Sequence, residues 1–248
     1  MKKIGFVLVT LLFLRVNAGS AAIITFFGED VNSAGDPTIA TPFNSFAASG
    51  RFVANLNTVG TETFEGFATG TIVPLTVNFS GFGSAVLTGS GTVVSGVDGA
   101  GRFPITGTQY LLTAPGAGFN LRFNSPVSAF GFYGTDIGDF GAQPLLTLTD
   151  VNDQISTLTV PSRIGSNGST SGSVLFYAFL DNANRYTNIQ LSSVQVSSTS
   201  VPDGFAFDNL TVGSVNPAPE PGAFALMGLG MTGLIGLRRL KRNRASTK

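Results

Sequence analysis

Short runs in which apolar and polar residues alternate dominate the chain between residues 23 and 215. Leu75, Val77 and Phe79 alternate with polar neighbours, and the pattern recurs over residues 119–124 and 146–149. Residues 173–180 are apolar at nearly every position, which predicts a strand buried on both faces. Many short strands joined by glycine-rich turns, with no sustained helical period, predict a single all-β domain folded as an antiparallel β-sandwich or jelly roll.

The last strand of this domain changes phase within its own length. In residues 205–212 the apolar side chains occupy odd positions up to Phe207 and even positions from Leu210. Because the side chains of a strand alternate with a period of two, this change predicts a β-bulge near Asp208.

The N-terminus has the pattern of a secretory signal. Lys2 and Lys3 precede an apolar run at residues 4–14, and small residues follow it. This order predicts a helical signal peptide over residues 1–22, with cleavage after Ala18 or Ala22. The exported β-sandwich domain then spans residues 23–215.

Three features follow one another over residues 216–248. A stretch of alternating prolines comes first, then an uncharged apolar segment at residues 223–237, and then a tail rich in arginine. The prolines favour an extended chain. The apolar segment, flanked by arginines, predicts a short hydrophobic helix that reaches the membrane and keeps its basic end in the cytoplasm.

Together these three features resemble the PEP-CTERM sorting signal of Gram-negative bacteria. The resemblance implies that exosortase, a membrane cysteine protease, recognises and processes the tail. It implies export across the inner membrane, a transient anchor in the membrane, and delivery to the cell surface or to the extracellular matrix of a biofilm. The residues that carry the sorting motif are Pro219, Glu220, Pro221, Arg238 and Arg239.

The net charge of zero hides a separation of the two signs. All 14 acidic residues lie between residues 22 and 221, where the chain has only five arginines and no lysine, so this part carries a net charge of −9. Nucleic-acid binding requires clustered Lys and Arg to neutralise phosphates, so we predict no nucleic-acid partner.

The composition also excludes several kinds of catalysis. The chain has no Cys and no His, which removes thiol nucleophiles, Ser-His-Asp triads and Cys or His metal sites. A pair of carboxylates, as in glycoside hydrolases, is the enzymatic alternative that remains. No Asp or Glu lies in a recognisable catalytic context, so we predict a protein without catalytic residues.

Two interpretations of the carboxylates remain open: they bind calcium, or they are ordinary turn residues and Asp208 hydrogen-bonds its own backbone. Residues 203–212 resemble the closing strand of exported jelly-roll domains, including carbohydrate-binding ones. The resemblance implies a structural calcium between Asp208 and a Glu near an early strand, and Glu65 matches best. A second predicted pair is Asp136 and Asp139, which flank a turn that contains glycine, because calcium binds carboxylate and carbonyl oxygens on flexible backbone.

Two functions therefore remain open for the exported domain. It binds exopolysaccharide, with or without calcium, or it is a passive structural component of the matrix with no specific ligand. Sugars stack on amphipathic rings, and the chain has no Trp and only four Tyr. Of the four, Tyr133 and Tyr186 lie near turn residues and are the candidates for exposed rings, but we expect each to pack in the core or at its rim.

Overall fold

The computed structural model of the chain describes residues 23–32, 42–114, 116–138, 140–163, 171–195 and 204–215. These residues belong to one compact unit, Ala21–Pro217. Within the described ranges the chain forms two antiparallel sheets that pack face to face. The fold is therefore the antiparallel β-sandwich that the alternating pattern predicts.

The first sheet, which we call the covered sheet, has a helix on its outer face. Its strands are β1 (Ile24–Asp30), β2 (Thr58–Glu62), β5 (Thr92–Ser95), β6 (Gln109–Leu112), β8 (Ala129–Thr135), β11 (Val174–Leu180) and β13 (Ala206–Ser214). Their order is β1-β11-β8-β13-β6-β5, and β2 also pairs with β13.

The second sheet, which we call the open sheet, has an outer face that is largely accessible to solvent. Its strands are β3 (Leu75–Phe79), β4 (Gly83–Gly89), β7 (Phe119–Val127), β9 (Ala142–Asp150), β10 (Ile155–Thr159) and β12 (Tyr186–Gln195). Their order is β10-β9-β12-β7-β4-β3, so β12 and β7 lie at the centre.

The main core fills the space between the two sheets. Along β3 and β9 every second side chain is buried, which confirms the alternation seen in the sequence. The Phe119 ring of the open sheet meets the Phe207 ring of the covered sheet edge to face, with centroids 5.1 Å apart. Strand β11 is buried at all seven positions, as the apolar run predicts.

The predicted bulge in the last strand is confirmed. The register between β13 and β8 shifts between Asp208 and Thr211, and Asn209 has φ +49°. On its other edge, β13 pairs with β6 before the bulge and with β2 after it. The bulge therefore lies where the strand changes partner, which lets its apolar side chains stay in the core on both sides of the shift.

A helix covers the outer face of the covered sheet, and the sequence prediction missed it. Helix α1 (Asn44–Val53) buries Ala48 and Phe52 against side chains of β8 and β11, such as Phe176. The helix approaches β1 so closely that a Cβ at Gly28 would collide with the Asn44 carbonyl oxygen. This second apolar layer explains why β8 and β11 are buried on both faces.

The N-terminus of α1 is capped by a residue distant in sequence. Phe43 occupies the N-cap position and forms no side-chain cap. Instead, the backbone N–H groups of Asn44 and Ser45 each donate to the Asp30 carboxylate at 2.8 Å, and the Ser45 hydroxyl donates to it at 2.7 Å. The end of β1 thus supplies the negative charge that a helix N-terminus favours.

Candidate functional site

The structure brings the predicted pair Glu65 and Asp208 to the same loop. Glu65 follows β2, and Asp208 lies at the bulge of β13. The backbone N–H groups of Thr108 and Gln109 donate to Glu65 Oε1 at 2.7 and 2.6 Å, and the Thr108 hydroxyl donates to Oε2 at 3.1 Å. Gly107 has φ +68°, a backbone conformation that favours glycine, and a Cβ there would lie 2.5 Å from the same carboxylate.

Asp208 holds the other half of this loop. The N–H groups of Ile105 and Thr106 donate to Asp208 Oδ2 at 2.7 and 3.0 Å, and the N–H of Asn209 donates to Oδ1 at 2.7 Å. Burial raises the pKa of Asp208 to about 7, although these N–H donors lower it, and the nearby charge of Glu65 raises it further. The N–H groups of Thr108 and Gln109 hold the pKa of Glu65 below its usual range.

In this structure, backbone N–H groups of the loop occupy both carboxylates. Among the described residues, no group of three or more acidic residues is placed to bind a metal ion. Glu65 Oε1 and Asp208 Oδ2 each already accept two N–H groups. The pair is arranged as a clamp that fixes the loop at residues 105–109 to β2 and β13.

Of the second predicted metal pair, the structure describes Asp136 alone. Asp136 follows β8 with φ +61° and is buried, and its Oδ2 lies 3.9 Å from the Arg102 Nε. Arg102 also pairs with Asp98 at 2.6 Å. An arginine therefore supplies the positive charge beside Asp136, while Asp139 lies outside the described residues.

The sorting residues and the predicted terminal helices also lie outside the described residues. Within the described ranges, no helix is long and apolar enough to cross a membrane.

The structure confirms that the tyrosines pack in the core. Tyr133 is 7% exposed and Tyr186 is 2% exposed, and the other two tyrosines are buried as well. Tyr133 packs beneath α1, where its ring meets those of Phe46 and Phe176. The Tyr186 hydroxyl donates to Asp181 at 2.7 Å inside the domain. Nearby turn residues made these two rings candidates for exposure, but packing of distant elements covers them.

The outer face of the open sheet forms a polar surface that the sequence prediction did not identify. Strand pairing aligns one side chain from each of five neighbouring strands, and we call this set the central row. Across β10, β9, β12, β7 and β4 the row consists of Thr157, Thr147, Gln190, Asn120 and Thr88. None of the five forms a side-chain hydrogen bond among the hydrogen bonds of the described residues. With strands about 4.8 Å apart, the row is about 19 Å long.

A second row runs beside the central row and is displaced from it by two residues on each strand that the rows share. We call it the arginine row, and across β10, β9, β12, β7, β4 and β3 it consists of Ile155, Thr149, Asn188, Arg122, Val86 and Thr76. Arg122 lies on a central strand and is exposed. Among the described strands of the open sheet, it is the one outward-facing residue with a charge.

The signal for this face was present in the sequence as the polar half of each alternating strand. Every amphipathic strand contains such residues, so the pattern predicts only that they face solvent. Which of these residues align across the sheet depends on strand order and register, because neighbours in the sheet such as β9 and β12 are not neighbours in the chain. The rows are therefore a product of the tertiary structure.

Comparison with protein families gives one finding, at the C-terminus. Residues 217–242 match the model of the PEP-CTERM protein-sorting motif. This confirms the resemblance drawn from the proline stretch, the apolar segment and the basic tail. The motif indicates that the protein is exported and sorted to the cell surface. A comparison with curated proteins finds no significant match.

Solved structures with a similar fold are remote in sequence. The C-terminal family 22 carbohydrate-binding module of a Clostridium thermocellum protein is 15% identical, with a TM-score of 0.37, over 67% of this chain and 97% of that one. The K2 cleaved adhesin domain of Lys-gingipain is 15% identical, with a TM-score of 0.36, over 63% and 98%. A Stig cyclase from Fischerella sp. TAU is 11% identical, with a TM-score of 0.39, over 64% and 100%. These likenesses assign no ligand to this chain.

Proposed function

We propose that this protein is a non-catalytic surface protein of a Gram-negative bacterium that binds polysaccharide of the extracellular matrix through the open sheet. Exosortase processes its tail after export, and the apolar segment at residues 223–237 anchors it in the membrane until then. The sorting motif at residues 217–242 supports the destination. The outer face of the open sheet supports the binding role.

The observation that carries the binding proposal is the central row. Its amide and hydroxyl groups are uncharged donors and acceptors that face solvent in register across five strands. A polysaccharide presents a matching series of hydroxyl groups. Because the row extends about 19 Å, an extended chain that crosses the strands meets a new side chain at each strand.

Binding to this face uses hydrogen bonds without aromatic stacking. The four tyrosines are buried, and the outward positions of the described strands of the open sheet hold no aromatic ring. Individual hydrogen bonds contribute about 0.5–1.5 kcal/mol because they replace bonds to water. We therefore expect each sugar to contribute little to the affinity, and we expect the affinity to increase strongly with polymer length.

A double variant of the central row tests the binding proposal. Asn120→Ala with Gln190→Ala removes two amides from adjacent central strands, and we expect it to abolish retention of the full chain on the organism's own exopolysaccharide. Thr69→Ala, an exposed substitution outside both sheets, is the matched control. Binding that survives the double variant would contradict the proposed face. If the wild-type protein does not bind, a passive matrix role is the better description.

Variants of the tail test the sorting proposal separately. Replacing Pro219, Glu220 and Pro221 with alanine should leave an unprocessed form in the membrane fraction, detected by mass and by fractionation. Release and mass identical to those of the wild-type protein would contradict processing through this motif.

A further inference from the structure

Arg122 has no partner within the described part of the domain. Each of the other four arginines in this part has an evident local role. Arg51 lies in the last turn of α1, Arg102 pairs with Asp98, Arg163 lies near Glu29, and Arg185 donates to the Asn184 carbonyl at 3.0 Å. Arg122 forms neither an ion pair nor a side-chain hydrogen bond among the interactions of the described residues.

The surroundings of Arg122 leave its charge uncompensated. In the arginine row its neighbours are Asn188 on β12 and Val86 on β4. Along β7 its outward neighbours are Asn120 and Asn124, and Asn124 is itself bonded to Ser84. The outward positions of the described strands of the open sheet hold no acidic side chain, so the only charge on this face is positive.

This position is unusual in a domain that is otherwise acidic. The chain between residues 22 and 221 has 14 carboxylates and five arginines. The carboxylates of Glu65, Asp181 and Asp208 accept backbone N–H groups at loops and lie off the open face. The open face is thus a neutral, hydrogen-bonding surface with one cation beside its centre.

We propose that Arg122 binds a carboxylate of the polysaccharide, so that the ligand of the open sheet contains uronic acid units. This inference rests on the proposed function and specifies its ligand class. A guanidinium presents a planar set of donors that matches a carboxylate in two parallel hydrogen bonds. The central row binds the hydroxyl groups of the same chain, and Arg122, about 7 Å away along the strand, binds the acidic group.

A matched pair of polymers tests the inference. Polygalacturonate and its methyl-esterified form share a backbone but differ in the charge of their carboxyl groups. Binding of the full chain, purified in a mild detergent, is measured by calorimetry at low salt. We expect the acidic polymer to bind about fivefold more tightly than the ester, because an exposed ion pair contributes an affinity gain of about this size.

Two variants and a control assign this preference to Arg122. Arg122→Gln should weaken binding of polygalacturonate about fivefold and leave binding of the ester unchanged. Arg122→Lys should restore part of the affinity, since lysine keeps the charge but lacks the planar fork. Arg51→Gln, which removes a charge on the opposite face of the domain, should change neither affinity.

The outcomes separate this inference from the proposed function. Equal binding of both polymers by the wild-type protein, or equal loss of both in Arg122→Gln, would overturn the role of Arg122 while polysaccharide binding stands. Binding of neither polymer by a protein that is still retained on the organism's own exopolysaccharide would overturn the uronic-acid assignment alone, and loss of that retention as well would overturn both statements. Melting curves establish that each variant is folded, and the position is exposed, so we expect no change in Tm.

Discussion

Replacing Asp30 with alanine should loosen helix α1 from the covered sheet. Asp30 accepts two backbone N–H groups and one hydroxyl at the start of the helix. The helix has no cap of its own, because Phe43 occupies the N-cap position. Alanine would therefore leave the first turn without an acceptor from the protein.

The size of the effect follows from these contacts. Loss of an N-cap acceptor costs about 1 kcal/mol, and loss of a negative charge at a helix N-terminus costs about a further 0.5 kcal/mol. The third hydrogen bond, from the Ser45 hydroxyl, brings the expected loss to about 2 kcal/mol. Asp30→Asn keeps one acceptor oxygen and loses the charge, so we expect a loss of about 1 kcal/mol.

Urea unfolding followed by circular dichroism measures the free energy of unfolding of each variant. Hydrogen exchange adds a local test, since the amides of Asn44 and Ser45 should exchange faster in Asp30→Ala than in the wild-type protein. Asp153→Asn, at an exposed turn, is the control and should change stability by less than about 0.5 kcal/mol. If Asp30→Ala is as stable as the control and its helix amides remain protected, the capping role is refuted.

Three further predictions concern the same domain. Phe52→Ala should cost about 3–5 kcal/mol in a urea titration, because the ring is fully buried between Phe26 and Phe176, and a loss below about 1 kcal/mol would show that α1 contributes little to stability. Burial raises the pKa of Asp30, but hydrogen bonds from Ser45 and Asn44 outweigh it and lower the pKa overall. The stabilisation by Asp30 is therefore present above about pH 4 and is lost as the pH falls through the lowered value. The fall in Tm below pH 4 should accordingly be shallower in Asp30→Asn, and an identical acid profile would contradict this. EDTA should leave Tm unchanged, because N–H groups already occupy the carboxylate oxygens of Glu65 and Asp208, and a fall in Tm that added calcium reverses would support the calcium site expected from the sequence resemblance.

Much of the fold could be predicted because the signals are local. Alternation with a period of two identifies β3, β7 and β9, and the continuous apolar run identifies β11. The change of phase at Asp208 locates the bulge. A strand can shift its buried side chains from odd to even positions only where one extra residue is inserted. The sorting motif is also local, as its three parts follow one another within 26 residues.

Helix α1 could not be predicted, because its stability comes from residues far away in sequence. Its own segment contains Asn44, Ser45 and Gly50, which favour helices weakly. Its cap is Asp30, and the surface that buries Phe52 belongs to β8 and β11. The burial of Tyr133 also depends on this helix, because its ring packs against Phe46 of α1.

The β-sandwich and the signal for export and sorting are both encoded locally, because strand periodicity and a linear motif are properties of neighbouring residues. Which face of which sheet stays open, and which polar side chains align in one row, depends on how distant strands pair. Gln190 and Asn120 are 70 positions apart in the chain yet are direct neighbours across β12 and β7, because register is set by packing of the whole sheet.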